Sequence, residues 1–311
     1  MVKGSTDVMP NPEIAAVRGL LRQNRLGPGL SLVEMREVYD RLGTQFPIPP
    51  DVSWRAVSAN GVPAEWASTP DARQERVILY LHGGGFTLGS ALGYRHVSTQ
   101  LGRTARALTL TPDYRLAPEH PFPAALDDSL AAYRFLLDAG FAPSCIAIAG
   151  DSCGGGLTVA TLVAAREAGL PQPACGVCMS SWVDMEANGG SMTTKAAEDF
   201  LVQRGPLLQN AAAYLGGADA RDPLAAPLHA DLAGLASLLI QVGSAETLLD
   251  DSVRLAAAAG AKAVECRLEV WPEMFHAWHF FFPVLGEGRR ALNLAGAFID
   301  HRMSSKLQRV T

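Results

Sequence analysis

The sequence has no apolar run approaching the roughly 20 residues needed to cross a bilayer. It also lacks a cluster of lysines and arginines that could match phosphates, and a formal net charge of −5 with a pI near 5.8 argues further against a nucleic-acid surface. The start, Met1 to Pro12, is polar, without a basic stretch followed by an apolar one. No signal peptide is read there, and a cytoplasmic location is the expectation. Cysteine is sparse and odd in number: Cys145, Cys153, Cys175, Cys178 and Cys266 lie mostly in apolar runs, which excludes a disulfide framework and predicts buried thiols. Cys175 and Cys178 have redox-pair or metal-ligand spacing, but the run from Ala174 to Ser180 reads as a strand, where residues three apart face opposite sides. No second Cys/His pair completes a zinc site. What remains is a chain of 311 residues, 48% apolar and 18% charged, with the composition of a folded globular protein and enough length for a sizeable core.

Along the chain the patterns alternate and do not repeat. Pro12–Arg25 and Ser31–Leu42 read as amphipathic helices, followed by a break at Pro47, Pro49 and Pro50. Val52–Ser58 and Val62–Ser68 flank Asn60-Gly61, a two-residue hairpin signal. Strand-like runs follow at Arg76–Leu81, Ala107–Thr111, Cys145–Ala149, Gly176–Ser180, Leu238–Val242 and Val264–Val270. Helical segments separate them, notably Ala124–Leu137, Gly155–Glu167, Asp251–Ala259 and Glu287–His301. This order predicts an α/β fold: a mostly parallel, doubly wound sheet whose ligand site lies at the carboxyl ends of the strands. Two segments stand outside the alternation, the helices up to residue 45 and Met185–Gly217. They are expected to form a cap over the catalytic face, with the core divided between 46–184 and 218–311.

Two motifs fall at such strand ends. Gly150-Asp151-Ser152-Cys153-Gly154 is G-x-S-x-G, preceded by the strand run Ile146–Ala149 and followed by a helix. That setting exposes a serine as a nucleophile, with the helix N-terminus behind it and the Cys153 N–H directed at a developing oxyanion. His82-Gly83-Gly84-Gly85 supplies backbone N–H groups with no Cβ in the way, suited to the same oxyanion, and His82 reads as a brace for this loop. A serine needs a base and the base an orienting acid, in the chain order serine, acid, histidine. His276, in the loop after the last strand, is the candidate base, whereas His279 sits among Trp278, Phe280, Phe281 and Phe282 and reads as packed or pocket-lining. Glu246, directly after the strand ending near Gly243, is the candidate acid. Asp250 and Asp251 are the alternatives, although the next helix start accounts for them as caps. Phe86, Trp182 and Trp278 are candidate substrate-pocket walls, and each also fits ordinary core.

These residues, with Asp113-Tyr114-Arg115-Leu116-Ala117-Pro118-Glu119-His120-Pro121-Phe122-Pro123-Ala124, resemble the bacterial hormone-sensitive-lipase-like esterases of the α/β-hydrolase superfamily over nearly the whole chain beyond the N-terminal helices. The resemblance implies a serine carboxylesterase acting on short-to-medium acyl esters through an acyl-enzyme, without metal or organic cofactor. It also implies an oxyanion hole from the N–H groups of Gly83, Gly84 and Cys153. The Tyr114–Ala124 segment reads as a structural support for that loop. Cys153 stands where alanine is usual and Glu246 where aspartate is usual. Amide or lactone hydrolysis on the same fold, and a ligand-binding relative without catalysis, are the competing readings. The last strand would leave a sheet edge through which two copies could pair.

Overall fold

Asn60 (φ 52°) and Gly61 (φ 96°) both adopt the left-handed conformation that a tight hairpin demands. They join β1 (Ser53–Ala59) to β2 (Val62–Ser68) in antiparallel register. In the computed structural model, which describes residues 11–24 and 29–305, six further strands follow: β3 (Arg73–Leu81), β4 (Ala107–Pro112), β5 (Ile146–Asp151), β6 (Cys175–Met179), β7 (Ser237–Gly243) and β8 (Cys266–Trp271). The eight form one sheet in the order β1-β2-β4-β3-β5-β6-β7-β8, in which β2 runs antiparallel to β1 and β4 and the other pairings are parallel.

The first two helices start as their sequences specify. α1 (Pro12–Gln23) opens with the Asn11 side chain accepting the Glu13 N–H at 2.9 Å, and α2 (Leu32–Thr44) with a reciprocal Ser31–Glu34 capping box. Arg25, the expected end of the first helix, lies outside the described residues, as do the first ten residues. The rest are α3 (Arg95–Ala105), α4 (Ala124–Asp138), α5 (Cys153–Glu167), the single turn α6 (Ser191–Thr194), α7 (Arg204–Leu215), α8 (Leu249–Ala261) and α9 (Gly286–Ser305). α3 has no counterpart in the predicted pattern because its buried face carries His96, Ser98 and Thr99 beside Val97 and Leu101.

Alternation along the strands splits the core into two layers. Val77, Leu79 and Leu81 of β3 belong to the layer that includes residues of α4, α5 and α8, while Ile78 and Tyr80 belong to the layer that includes residues of α3 and α9. Cys178 belongs to the first layer and Cys175 to the second, the opposite facing expected of a three-residue spacing on a strand. No helix among the described residues is long and apolar enough to cross a membrane.

Candidate active site

The turn from β5 into α5 forces Ser152 to φ 54° and ψ −124°, a strained conformation for a residue with a side chain. Two glycines make room for it. A Cβ on Gly150 would run into the carbonyl of Gly154, and one on Gly154 into the carbonyl of Leu81. The serine is thereby lifted off the end of β5, where its Oγ meets His276 Nε2 at 2.9 Å. His276 Nδ1 meets Glu246 Oε2 at 3.1 Å. The other carboxylate oxygen, Oε1, accepts the Gly243 N–H at 2.6 Å and the Ser180 hydroxyl at 2.8 Å. Ser180 in turn accepts the Ala277 N–H at 3.0 Å.

The three residues read from sequence as nucleophile, base and acid are therefore in one hydrogen-bonded line. Asp250 and Asp251 are elsewhere. Asp250 Oδ2 accepts the Ser191 N–H, and Asp251 Oδ2 accepts those of Val183 and Asp184, so both hold the segment after β6. Glu246 is fully buried, which raises its pKa against the opposing pull of His276, Gly243 and Ser180. Burial alone would lower the pKa of His276, but the hydrogen bond and charge of Glu246 outweigh it and the net shift is upward. His279 is not part of the line: its Nε2 meets Gln241 Oε1 at 3.0 Å, and burial lowers its pKa to about 3.

The glycine loop is held by His82 and Tyr114, whereas Arg115 is turned to Asp128 of α4. His82 Nδ1 meets the Gly83 carbonyl at 2.8 Å, and its ring stacks on Tyr114 with centroids 4.2 Å apart. The Tyr114 hydroxyl donates to the His82 carbonyl at 2.7 Å. Arg36 of α2 holds Glu119 with two bonds and also donates to the carbonyls of Thr87 and Ala117. One part of the oxyanion expectation needs correction. The Gly83 N–H donates to Asp151 Oδ1 at 3.2 Å, so it is committed to a carboxylate. Gly84 and Gly85, by contrast, line the cavity above Ser152. Cys153 follows Ser152 as the first residue of α5; its thiol accepts the Phe86 N–H at 3.2 Å, and burial pushes its pKa up to about 12.

Pattern reading missed Ser180 and the surroundings of Asp151. Ser180 follows β6, which lies between the strand bearing the serine and the strand preceding the acid. A hydroxyl at that strand end is the signal that could have marked it. Asp151 accepts the Tyr80 hydroxyl at 2.8 Å and the Tyr94 hydroxyl at 3.1 Å, and Tyr39 meets Tyr94 at 2.9 Å. Burial raises the Asp151 pKa to about 6, although both tyrosines, His276 and the Gly83 N–H favour its ionised form.

A cavity of about 540 Å³ opens above Ser152 and His276. Arg18, Leu21, Arg22, Asn24, Tyr39 and Leu42 from the N-terminal helical segment form one side of it, and Phe200, Leu201, Val202, Leu207 and Asn210 from the 185–217 segment another. Trp182 is on the wall, but Phe86 and Trp278 are not. Phe86 stacks on Tyr214 at 3.7 Å, and Trp278 is buried against Trp271 and His279; packing in the core uses both rings. Asp184, Glu186 and His229 could bring three ligand atoms within 4.8 Å, but the two carboxylates already pair with Arg254 and Arg221.

Residues 78–280 match the family described as alpha/beta hydrolase fold. An acetyl-hydrolase of Streptomyces hygroscopicus is 46% identical over 295 residues, covering 94% of this chain and 97% of that protein. An esterase of Acinetobacter venetianus is 33% identical over 259 residues, 83% of this chain and 85% of that one. Among solved structures, an esterase from the bacterial hormone-sensitive lipase family superposes with a TM-score of 0.92 at 46% identity, over 94% of this chain and 99% of its own. EstE5, in crystals soaked with p-nitrophenyl butyrate, gives 0.90 at 44% identity, over 94% of this chain and 99% of its own. The chain belongs to the α/β-hydrolase fold family, among the hormone-sensitive-lipase-like esterases. It is a carboxylic ester hydrolase.

Proposed function

We propose that the chain is a serine carboxylesterase cleaving short-to-medium acyl esters through a covalent acyl-enzyme. The observation that carries this reading is the line Ser152 Oγ–His276–Glu246, at 2.9 and 3.1 Å, beside a largely apolar cavity. Ser152 Oγ attacks the ester carbonyl while its proton passes to His276 Nε2. Glu246 fixes the imidazole tautomer and stabilises its positive form. The oxyanion is held by the N–H groups of Gly84 and Cys153, with Gly83 acting through its bond to Asp151 as part of the support. His276 gives its proton to the departing alcohol, and water then repeats the sequence to release the acid and restore Ser152. Side chains, backbone and water supply each step. In this reading the helices up to residue 45 and the 185–217 segment act together as the cap that excludes water and limits acyl length. The substrate is a small-molecule ester.

The test is hydrolysis of p-nitrophenyl acyl esters from acetate to palmitate by the wild-type chain and Ser152→Ala. Turnover concentrated on short and medium chains and lost in the variant is the expected result. Equal rates for both proteins at every chain length would overturn the proposal.

A further inference from the structure

The triad does not use two arginines that stand on the cavity wall among the described residues. Arg18 and Arg22 both line the cavity that contains Ser152, one helical turn apart on the same face of α1. Neither has a carboxylate within ion-pair distance among the described residues, although twelve other arginines of the chain do. The helix beneath them is fastened: Val17 is fully buried, and the Glu13 carboxylate accepts the Gly286 N–H at 2.9 Å. The Arg18 guanidinium lies 4.0 Å from the centroid of the Phe200 ring, which packs at 4.8 Å on Phe275, the neighbour of His276. The ring thus holds the guanidinium, and among the described residues its N–H groups have no hydrogen-bond acceptor. The acid on the same wall, Asp151, is occupied at the cavity base by two tyrosines and the Gly83 N–H. Among the described residues lining the cavity, two arginines thus stand with one aspartate, in a chain of formal net charge −5.

We infer that Arg18 and Arg22 form a subsite for an anionic group, a carboxylate or phosphate, carried by the substrate away from the scissile ester. A guanidinium offers paired donors to such a group, and two of them facing one cavity favour an anion over a neutral chain of equal length. The inference rests on the esterase reading above and names its substrate class. The anion sits on either the acyl or the alcohol part, and both are tested.

The acyl probe is mono-4-nitrophenyl glutarate against 4-nitrophenyl pentanoate. The alcohol probe is the acetyl ester of 4-hydroxybutyrate against butyl acetate, followed by pH-stat. The quantity read is the ratio of kcat/KM for the anionic over the neutral ester. The wild type is expected to favour the anionic ester in at least one series, by roughly fivefold or more, through KM. Arg18→Gln with Arg22→Gln should bring that ratio to one or below. Lysine at both positions should restore part of it, and 0.5 M NaCl should weaken it. Arg134→Gln, an exposed change on α4, should leave it unmoved. A ratio at or below one in both series, or one that the double variant does not change, overturns the inference while neutral-ester turnover leaves the esterase reading standing. Absence of turnover for every ester brings down both.

Discussion

Ser180 Oγ donates to Glu246 Oε1 at 2.8 Å and accepts the Ala277 N–H at 3.0 Å. One hydroxyl therefore fastens both the buried acid and the loop that carries His276. Ser180→Ala would leave the Ala277 N–H without its acceptor and Glu246 with one donor fewer. An unmade buried bond of this kind costs about 1–3 kcal/mol, so kcat should fall roughly tenfold or more while KM for a neutral ester changes little. Steady-state kinetics beside a thermal melt checks it; full activity in the variant would show that the loop holds itself.

The pH profile follows from the sign of the His276 shift. Burial lowers its pKa, but Glu246 raises it more, so the net is above the ordinary value of 6.5. Since the neutral imidazole is the base, activity should rise on an acid limb centred above 6.5 and level off on the alkaline side. Glu246→Gln removes the group that raises the pKa, so the limb should move to lower pH as kcat drops by about two to four orders of magnitude. Profiles of kcat/KM for both proteins decide this. An unmoved limb would detach the acid from the base.

Much of this site was legible in the sequence because it depends on local rules. The strand–turn–helix around Ser152 is written in Gly150 and Gly154, whose missing Cβ atoms let the turn form, and Glu246 follows directly on a strand end. Asp250 and Asp251 do stand in the first turn of α8, but they do not cap it: they accept the backbone N–H groups of Ser191, Val183 and Asp184. What local pattern could not supply was contact across the fold. The Gly83 N–H turns away to Asp151, two residues brought together by the parallel pairing of β3 with β5. Phe86 finds Tyr214 of α7, more than a hundred residues on, and so joins the core and not the cavity wall. α3 escaped detection because its buried face is partly polar: His96 Nε2 meets the distant Phe280 carbonyl, while Ser98 bonds back to the Arg95 carbonyl of its own helix.

Asp151 gives a discriminating pair of variants. Its Oδ1 takes the Tyr80 hydroxyl and the Gly83 N–H, and its Oδ2 the Tyr94 hydroxyl. Asparagine keeps one oxygen, and its amide can donate to Tyr94 if that hydroxyl turns to donate to Tyr39, 2.9 Å away. Alanine leaves these buried groups unpaired. Asp151→Asn should therefore retain most of the stability and activity. Asp151→Ala should lose about 2–4 kcal/mol and, through the released glycine loop, kcat more than KM. Chemical denaturation with parallel kinetics separates the two. Equal damage from both would mean that the charge itself is required.

β8 closes one side of the sheet, and its outer edge has no further strand among the described residues. Val270 on it is 45% exposed. Open edge groups with an exposed apolar residue favour strand pairing, so a dimer across β8 is the expected state in light scattering at micromolar concentration. Val270→Lys should shift it towards monomer. A monomeric wild type would remove this reading of the edge.

Cys153 tests whether the thiol beside the nucleophile takes part in the chemistry. Its sulfur accepts the Phe86 N–H at 3.2 Å and lies 3.9 Å from both the Tyr114 hydroxyl and the His82 carbonyl. It is fully buried, and that burial pushes its pKa up to about 12, so it carries no thiolate at neutral pH. The proposed role of the residue belongs to its backbone N–H, which alanine retains. Removing the sulfur leaves a small void and one weakly held N–H, at a cost of about 1–2 kcal/mol in stability. Cys153→Ala should consequently keep kcat for p-nitrophenyl acetate within about fivefold, since no transition-state donor is lost. Iodoacetamide should fail to inactivate the folded wild type, because thiolate is the reactive form and none is exposed here. A collapse of kcat in Cys153→Ala with its melting temperature preserved would assign the sulfur a direct part in catalysis.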